Sequence, residues 1–245
     1  MELKQALYML PVPVSDGPIK DVLPALNIEI IKSLKHFVVE NVRTARRFLK
    51  KLDPSTDISL LTFRELNSHT DEKEIRDLLQ PLREGEAIGM MSEAGCPGIA
   101  DPGAVLVNMA QREGFRVVPL VGPSSIVLAL MASGFNGQRF AFNGYLPIEA
   151  GERDKKIKEL ENQSRRQDMT QIFIETPYRN DKMMECLLKN LSPDTLLCVG
   201  KDLTSPDNET IETKSVSEWK KTGYKFGKVP AIFLFYSRSA GKRRG

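Results

Sequence analysis

The chain has 245 residues, 41% of them hydrophobic and 27% charged, with a formal net charge of +3. That is the balance of a folded globular protein long enough for one large or two medium domains, and it excludes a disordered or collagen-like chain. The small positive excess permits an anionic partner without announcing one, because phosphate binding needs a clustered basic face.

Strand and helix patterns alternate from the start. "ALYMLPV" (6–12) reads as an apolar opening strand, and "KDVLPALNIEIIKSL" (20–34) has helical apolar spacing, with Pro24 tolerable in a first turn. "HFVVEN" (36–41) is a second strand, and "NVRTARRFLKKL" (41–52) a basic helix with Val42, Ala45, Phe48, Leu49 and Leu52 on one face. "ISLLTF" (58–63) reads as a third strand. Asp71 and Glu74 have the spacing of a capping box and open "EKEIRDLLQPLREG" (72–85), where Ile75, Leu78, Leu79 and Leu82 make a core-facing stripe. Gly85 suits the residue just past that helix. "EAIGMMS" (86–92) is a fourth strand and "FRVVPLVG" (115–122) a fifth. Five strands joined by helices describe an α/β unit with a mainly parallel sheet.

The second half changes character. "PSSIVLALMASG" (123–134) reads as a buried helix, "RFAFNGYLP" (139–147) as a strand, and "EAGERDKKIKELENQSRRQD" (149–168) as a helix with a solvated face. "TQIFIETP" (170–177), "TLLCVGKDL" (195–203) and "VPAIFLFYS" (229–237) are strands, with a helix over "RNDKMMECLLKNL" (179–191). Strands outnumber helices here, so some pairing is expected to be antiparallel. The expected division is an N-terminal α/β domain over 1–119, a C-terminal α/β domain with a mixed sheet over 120–238, and a basic flexible tail over 239–245.

Much familiar chemistry is missing. The turn after the first strand is "PVPVSDGP" rather than GxGxxG, and no GxxxxGK[ST] occurs. His36 and His69 are the only histidines, and neither sits in a zinc or triad pattern. Cys96, Cys186 and Cys198 are scattered, with no disulfide framework or CxxC pair, which suits a reducing cytosol. "MELKQALYML" lacks the pattern of a signal peptide, and no uncharged apolar run approaches the ~18 residues that span a bilayer. The expectation is a cytoplasmic protein with no membrane partner, no metal and little acid–base equipment beyond carboxylates.

One loop stands out. "MSEAGCPGIADPG" (91–103) packs three glycines, two prolines and two carboxylates between a strand and the helix "AVLVNMAQREG" (104–114). Glycine allows close backbone approach and proline withdraws an N–H. Such a loop at the carboxyl end of a strand either makes a tight turn or binds a ligand.

Taken in order, "LYMLPVPV" (7–14), "VVENVRTARRFL" (38–49), "MSEAGCPGIADPG" (91–103), "RVVPLVGPSS" (116–125), "RFAFNGYLP" (139–147), "IFIETPYR" (172–179) and "VPAIFLF" (229–235) resemble the tetrapyrrole-methylase superfamily of S-adenosylmethionine-dependent methyltransferases. Within it the match is to the branch that methylates a cytidine ribose 2′-OH in small-subunit ribosomal RNA. The resemblance spans about residues 6–237 and is most specific at the 91–103 loop and the "GPSS" step. It implies two α/β domains with the donor in the cleft between them, and a homodimer. It further implies that Ala94, Gly95 and Cys96 approach the methionine end of the donor, with Ile99 beside it and Asp101 organising the loop or capping the next helix. Ser124 and Ser125 would meet the donor or cap a helix. Val14, Glu175, Leu203, Pro230 and Ala231 match the rest of the donor wall by position.

The chain departs from the branch pattern in places. It has "EAGCP" for "DAGTP", so a hydroxyl becomes the Cys96 thiol, and "ENVR" for "EDTR", so an aspartate becomes Asn41. The first loop differs from "TPIGNL", and a C-terminal helical segment often found in the branch has no counterpart here. These changes touch the acceptor side more than the donor side.

Methyl transfer from a sulfonium needs chiefly positioning, with the acceptor held ~3 Å from the methyl. A ribose hydroxyl gains from a carboxylate that takes its proton, and Glu40 and Glu93 are the candidates, with S-adenosylhomocysteine as the product. Arg43 could hold a phosphate by two hydrogen bonds, or be an ordinary solvated helix residue. For ribosomal RNA or the small subunit as partner, the run Arg43, Arg46, Arg47, Lys50, Lys51 and the Lys242–Arg244 tail offer positive charge, without interleaved aromatic residues. Two other readings stay open, a small-molecule methyltransferase acting on a tetrapyrrole-like ring and a non-catalytic S-adenosylmethionine-binding protein.

Overall fold

The computed structural model describes residues 3–67 and 70–238; His69 and the basic tail at 239–245, including Lys242–Arg244, lie outside them. The chain divides into two compact units, Met1–Ser124 and Ser125–Gly245.

The first unit runs β1 (Leu7–Met9), α1 (Ile19–Val22), α2 (Ala25–Ser33), β2 (His36–Val39), α3 (Val42–Leu52), β3 (Thr62–Glu65), α4 (Glu72–Leu78), α5 (Gln80–Arg83), β4 (Ile88–Met91), α6 (Gly103–Arg112) and β5 (Val117–Pro119). Its five strands lie in the order β3-β2-β4-β1-β5, every pair parallel. Alternation along the strands fills both faces, as a parallel sheet covered by helices requires. Tyr8, Leu10, Phe37, Val39 and Met91 pack with Ile30 and Ile31 of α2 and Ala45 and Leu49 of α3. On the other face Leu7, Met9, Val38, Ile88 and Met90 pack with Ile75 and Leu78 of α4 and Leu106 and Ala110 of α6. Each of the larger aliphatic and phenyl side chains contributes roughly 1.5–3 kcal/mol by leaving water.

Two expected helices are each broken in two by proline. Pro24 stands as the N-cap of α2, separating it from α1, and Pro81 is the second residue of α5, two residues after Leu79 leaves helical geometry with ψ 0°. Proline lacks the N–H that would continue the ladder and clashes with the preceding turn. The expected third strand over 58–63 is also corrected. Ile58–Leu60 form a 3₁₀ turn, capped when Asp57 accepts the Ser59 N–H at 3.0 Å, and the strand starts only at Thr62. The capping box at Asp71 and Glu74 is present, and Gly85 takes φ +86° just after α5.

The second unit runs α7 (Ser125–Ser133), β6 (Phe140–Tyr145), α8 (Ala150–Gln167), β7 (Thr170–Glu175), a 3₁₀ turn (Pro177–Arg179), α9 (Asn180–Asn190), β8 (Leu196–Lys201), β9 (Thr210–Ser215), α10 (Val216–Thr222) and β10 (Ala231–Tyr236). The sheet order is β6-β7-β10-β8-β9, with only β6 and β7 parallel. Phe173, Phe233, Phe235, Leu197 and Val199 pack against Ile157 and Leu160 of α8, Met183, Met184 and Leu187 of α9, and Trp219 of α10. Phe173 and Phe233 stack with centroids 5.5 Å apart. The segment 209–223 splits into a strand and a helix at a second capping box, Ser215 with Glu218. The expected burial of α7 is corrected: Ala129 and Ser133 are buried, whereas Val127 is 50% and Met131 76% exposed. A helix apolar all round has more hydrophobic surface than one sheet face covers.

Candidate active site

Because the first sheet is all parallel, the loops after β1, β2, β4 and β5 leave it at one edge, the edge where α/β proteins bind ligands. Three of those loops are tied together, two of them by main chain and the third through a thiol. Val12 and Gly95 form an isolated antiparallel bridge, with Val12 N–H to Gly95 O at 3.0 Å and Gly95 N–H to Val12 O at 3.1 Å. Gly95 takes φ +72°, and a Cβ there would stand 3.4 Å from Val14 Cγ1 and 3.6 Å from the Pro123 carbonyl. Cys96 joins the third loop, its thiol 3.4 Å from Pro123 O and 3.8 Å from Gly122 O. Burial pushes that thiol's pKa up, so it stays protonated as a weak donor rather than acting as a nucleophile. Gly122 lies so near Pro11 that a Cβ would fall 2.1 Å from the proline ring.

Asp101 spends its carboxylate inside the 91–103 loop. It accepts from Gly98 N–H at 2.9 and 2.8 Å and from Gly103 N–H at 2.7 Å. Pro102 is the N-cap of α6 by geometry, and Asp101 supplies the cap bond its ring cannot make. Ala94 and Ile99 stand exposed on the same loop, Ile99 at 51%. Ser124 follows Pro123 directly, and Ser125 opens α7.

The acidic residues gather at the ends of neighbouring strands. Glu40 follows β2 and Glu93 follows β4 by two residues. Burial raises the Glu40 pKa above its ordinary value, and the charges of Asp101 and Glu93 raise it further; a hydrogen bond from the Glu93 backbone opposes them. Glu93 is itself held by Thr44, whose hydroxyl lies 2.5 Å from Glu93 Oε1. Asn41 is the N-cap of α3, its Oδ1 accepting from Arg43 N–H at 2.9 Å and Thr44 N–H at 3.3 Å. An amide oxygen caps as well as a carboxylate does, so the asparagine keeps the helix start that orients Arg43 and Thr44. Arg43 is exposed and makes no ion pair among the described residues. Further along α3, Arg46 lies over the Phe63 ring at 5.2 Å, an aromatic partner that comes from β3 rather than from the basic run itself.

In the second unit, the remaining wall candidates meet at one end of the mixed sheet. Ala231 pairs with Glu175 on one side and with Lys201 on the other. Asp202 N–H donates to Pro230 O at 2.9 Å, placing buried Leu203 beside the same end. The Glu175 carboxylate is buried and engaged, accepting from Arg179 Nη2 at 2.6 Å and Thr176 N–H at 2.6 Å, so the main chain is what this position offers outward.

Sequence reasoning missed Thr44, whose partner is 49 residues away. It also missed Asn27, buried on α2, whose Nδ2 reaches Val121 O at 2.6 Å and fixes the loop after β5. A lone asparagine on an apolar helix face was the available signal. Among the described residues no group of three or more His, Cys, Asp or Glu side chains is arranged to hold a metal ion.

Residues 20–218 match the tetrapyrrole (corrin/porphyrin) methylases. The chain belongs to this family. This methylase is a methyltransferase, and relatives of the same kind match most of it. Ribosomal RNA small subunit methyltransferase I of Vibrio cholerae serotype O1 is 32% identical over 212 residues, covering 86% of this chain and 69% of that one. The protein of that name in Borrelia garinii subsp. bavariensis is 29% identical over 239 residues, 98% of this chain and 95% of its own. The crystal structure of the methyltransferase CobJ superposes with a TM-score of 0.62 at 15% identity, covering 98% of this methylase and 97% of that chain, a likeness of fold.

Proposed function

We propose that this methylase transfers a methyl group from S-adenosylmethionine to a ribose 2′-hydroxyl of small-subunit ribosomal RNA. One observation carries the reading: a half-buried carboxyl, Glu40, has its pKa raised by burial and by Asp101 and Glu93, at the same sheet edge as a cradle in which Val12 and Gly95 join by main chain and Cys96 ties in a third loop. The relatives named as ribosomal RNA small subunit methyltransferases support the choice of acceptor.

The cradle fits the donor. Gly95 presents backbone at φ +72°, a conformation a side chain would strain, and the exposed apolar Ile99 on the same loop suits the donor's methylene chain. Val14, Ala94, Gly95, Cys96, Ile99 and Ser124 would hold the donor from the first unit, with Asp101 shaping the loop. Ser125, Glu175, Leu203, Pro230 and Ala231 are the donor-binding candidates of the second unit. When bound, S-adenosylmethionine supplies a methyl already activated by the positive sulfur. Glu40 takes the hydroxyl proton as the ribose oxygen gains the methyl, leaving S-adenosylhomocysteine. Glu93, steadied by Thr44, adds to the burial and the Asp101 charge that raise the Glu40 pKa, which makes Glu40 a stronger proton acceptor than an ordinary carboxylate. Arg43, free of ion pairs among the described residues, receives a phosphate.

A homodimer belongs to the same reading. Val127 and Met131 on α7, with Phe140 and Tyr145 on the edge strand β6, leave apolar surface that a second copy would cover. Cys96, Cys186 and Cys198 are free thiols, and no helix among the described residues is long and apolar enough to cross a membrane, which supports a cytoplasmic setting.

The test is transfer from tritiated S-adenosylmethionine to undermethylated small ribosomal subunits, with free ribosomal RNA and a porphyrin precursor alongside. Label in a ribose of subunit RNA, in a dinucleotide resistant to alkali, is expected. Label in the porphyrin, or donor binding with no label anywhere, would overturn the acceptor assignment.

A further inference from the structure

Tyr178 is 78% exposed. An aromatic side chain of this size usually buries most of its ring, so what holds it outward matters. It sits in the 3₁₀ turn after β7, and that turn is rigid: Pro177 opens it, Arg179 N–H bonds Thr176 O at 2.9 Å, and Arg179 Nε and Nη2 grip Glu175 at 2.9 and 2.6 Å. A second segment, Tyr224–Pro230, is cross-tied to it. Asn180 Nδ2 donates to Val229 O at 3.0 Å, and Phe226 N–H donates to Asp181 Oδ1 at 3.3 Å while the Phe226 ring is buried. These ties place Lys228 Nζ 5.5 Å from the Tyr178 ring centre, on one face, leaving the other to solvent.

The charges around the pair favour an anion. Glu175 is matched by Arg179, and Asp181 is engaged by the Phe226 N–H. Glu185 lies with Asp181 toward Tyr224. Lys201 Nζ donates to Lys225 O at 3.1 Å, leaving Lys225 and Lys228 as exposed ammonium groups on the strap. The pair also lies beside the donor-wall candidates of its own unit, since Tyr178 follows Glu175 by three residues and Lys228 precedes Pro230 by two.

We propose that Tyr178 and Lys228 form a stacking platform for an unpaired base of the substrate RNA, the ring taking the base face and the ammonium group the neighbouring phosphate. The proposal rests on the RNA reading above. It requires a single-stranded or splayed-out nucleotide, because bases within a duplex have no free face.

The test compares Tyr178→Ala, Tyr178→Phe and Lys228→Gln with wild type on undermethylated small subunits, together with calorimetric donor affinity. Tyr178→Ala is expected to raise KM for subunits about ten-fold with donor Kd unchanged, and Tyr178→Phe to restore it, since the ring face does the stacking. Lys228→Gln is expected to lower the salt slope of subunit binding by about one. In Tyr178→Trp, a single-stranded oligoribonucleotide is expected to quench the new tryptophan's fluorescence. Tyr178→Ala with wild-type KM, or with donor Kd weakened in parallel, overturns the platform while leaving RNA methylation standing. Wild type that labels no RNA overturns both.

Discussion

Val12 and Gly95 exchange two backbone hydrogen bonds, at 3.0 and 3.1 Å, although they come from loops 83 residues apart. The exchange needs Gly95 at φ +72°, a region that costs other residues about 1–2 kcal/mol. Gly95→Ala should lower Tm by a few degrees and weaken S-adenosylmethionine binding by about ten-fold. Calorimetry with the donor measures the second effect. Undiminished affinity would remove Gly95 from the cradle.

For Glu40, burial, Asp101 and Glu93 all raise the pKa, so its proton is retained to higher pH than in an ordinary carboxyl. A base must be ionised, so turnover should climb as pH rises through that raised value and then level off. Glu40→Gln should cut kcat by about 10²–10⁴. Glu93→Gln removes one of the two neighbouring charges and should shift the acid limb of the pH profile to lower pH. Stability follows with the opposite sign: the raised pKa favours the folded state at low pH, and that contribution is lost as pH rises through it. The Tm gap between wild type and Glu40→Gln should therefore move in the mutant's favour from pH 4 to 7. A Glu93→Gln acid limb that stays put, in an enzyme still active as Glu40→Gln, would dismiss Glu40 as the base.

Asn41 caps α3 through its side-chain oxygen. Asn41→Ala should cost about 1 kcal/mol, or roughly 2–4 °C in Tm, while Asn41→Asp keeps the cap and stays near wild type. Thermal melts of the two variants decide this. Equal losses in both would show that the amide, rather than the cap, matters.

The apolar face of α7 predicts a subunit contact. Met131→Glu should convert a dimer to a monomer in sedimentation experiments. Leu60→Glu, at a residue also 76% exposed but in the first unit, should leave the mass alone. A Met131→Glu protein that sediments like wild type would place any interface elsewhere.

Much of this architecture was legible because the chain spells it locally. Runs such as 88–91 and 231–236 are apolar enough to be strands buried on both faces, and the box at Asp71 and Glu74 needs only four residues to read. The box at Ser215 and Glu218 has the same spacing and was passed over in a polar stretch. Helix breaks at Pro24 and Pro81 were hidden because apolar periodicity continues through them while the hydrogen-bond ladder does not. The extent of α7 burial depends on how much surface its sheet offers, which no local pattern encodes. At the candidate site, loop order was readable, but the Thr44–Glu93 contact and the Cys96 link to Pro123 span 49 and 27 residues. Asn41 looked like a lost carboxylate, whereas its position at a helix start gives its oxygen work that either residue performs.

The clamp between Val12 and Gly95 is made of amide and carbonyl groups alone. Position 12 needs an N–H and, because Val12 is buried in the core, an apolar side chain that fits, but the less buried letters after it are free to wander while the clamp stays put. "PVPVSDGP" can thus look foreign beside its relatives and still trace the same curve. A search that scores letters will undervalue that stretch. A comparison of backbone traces will find it.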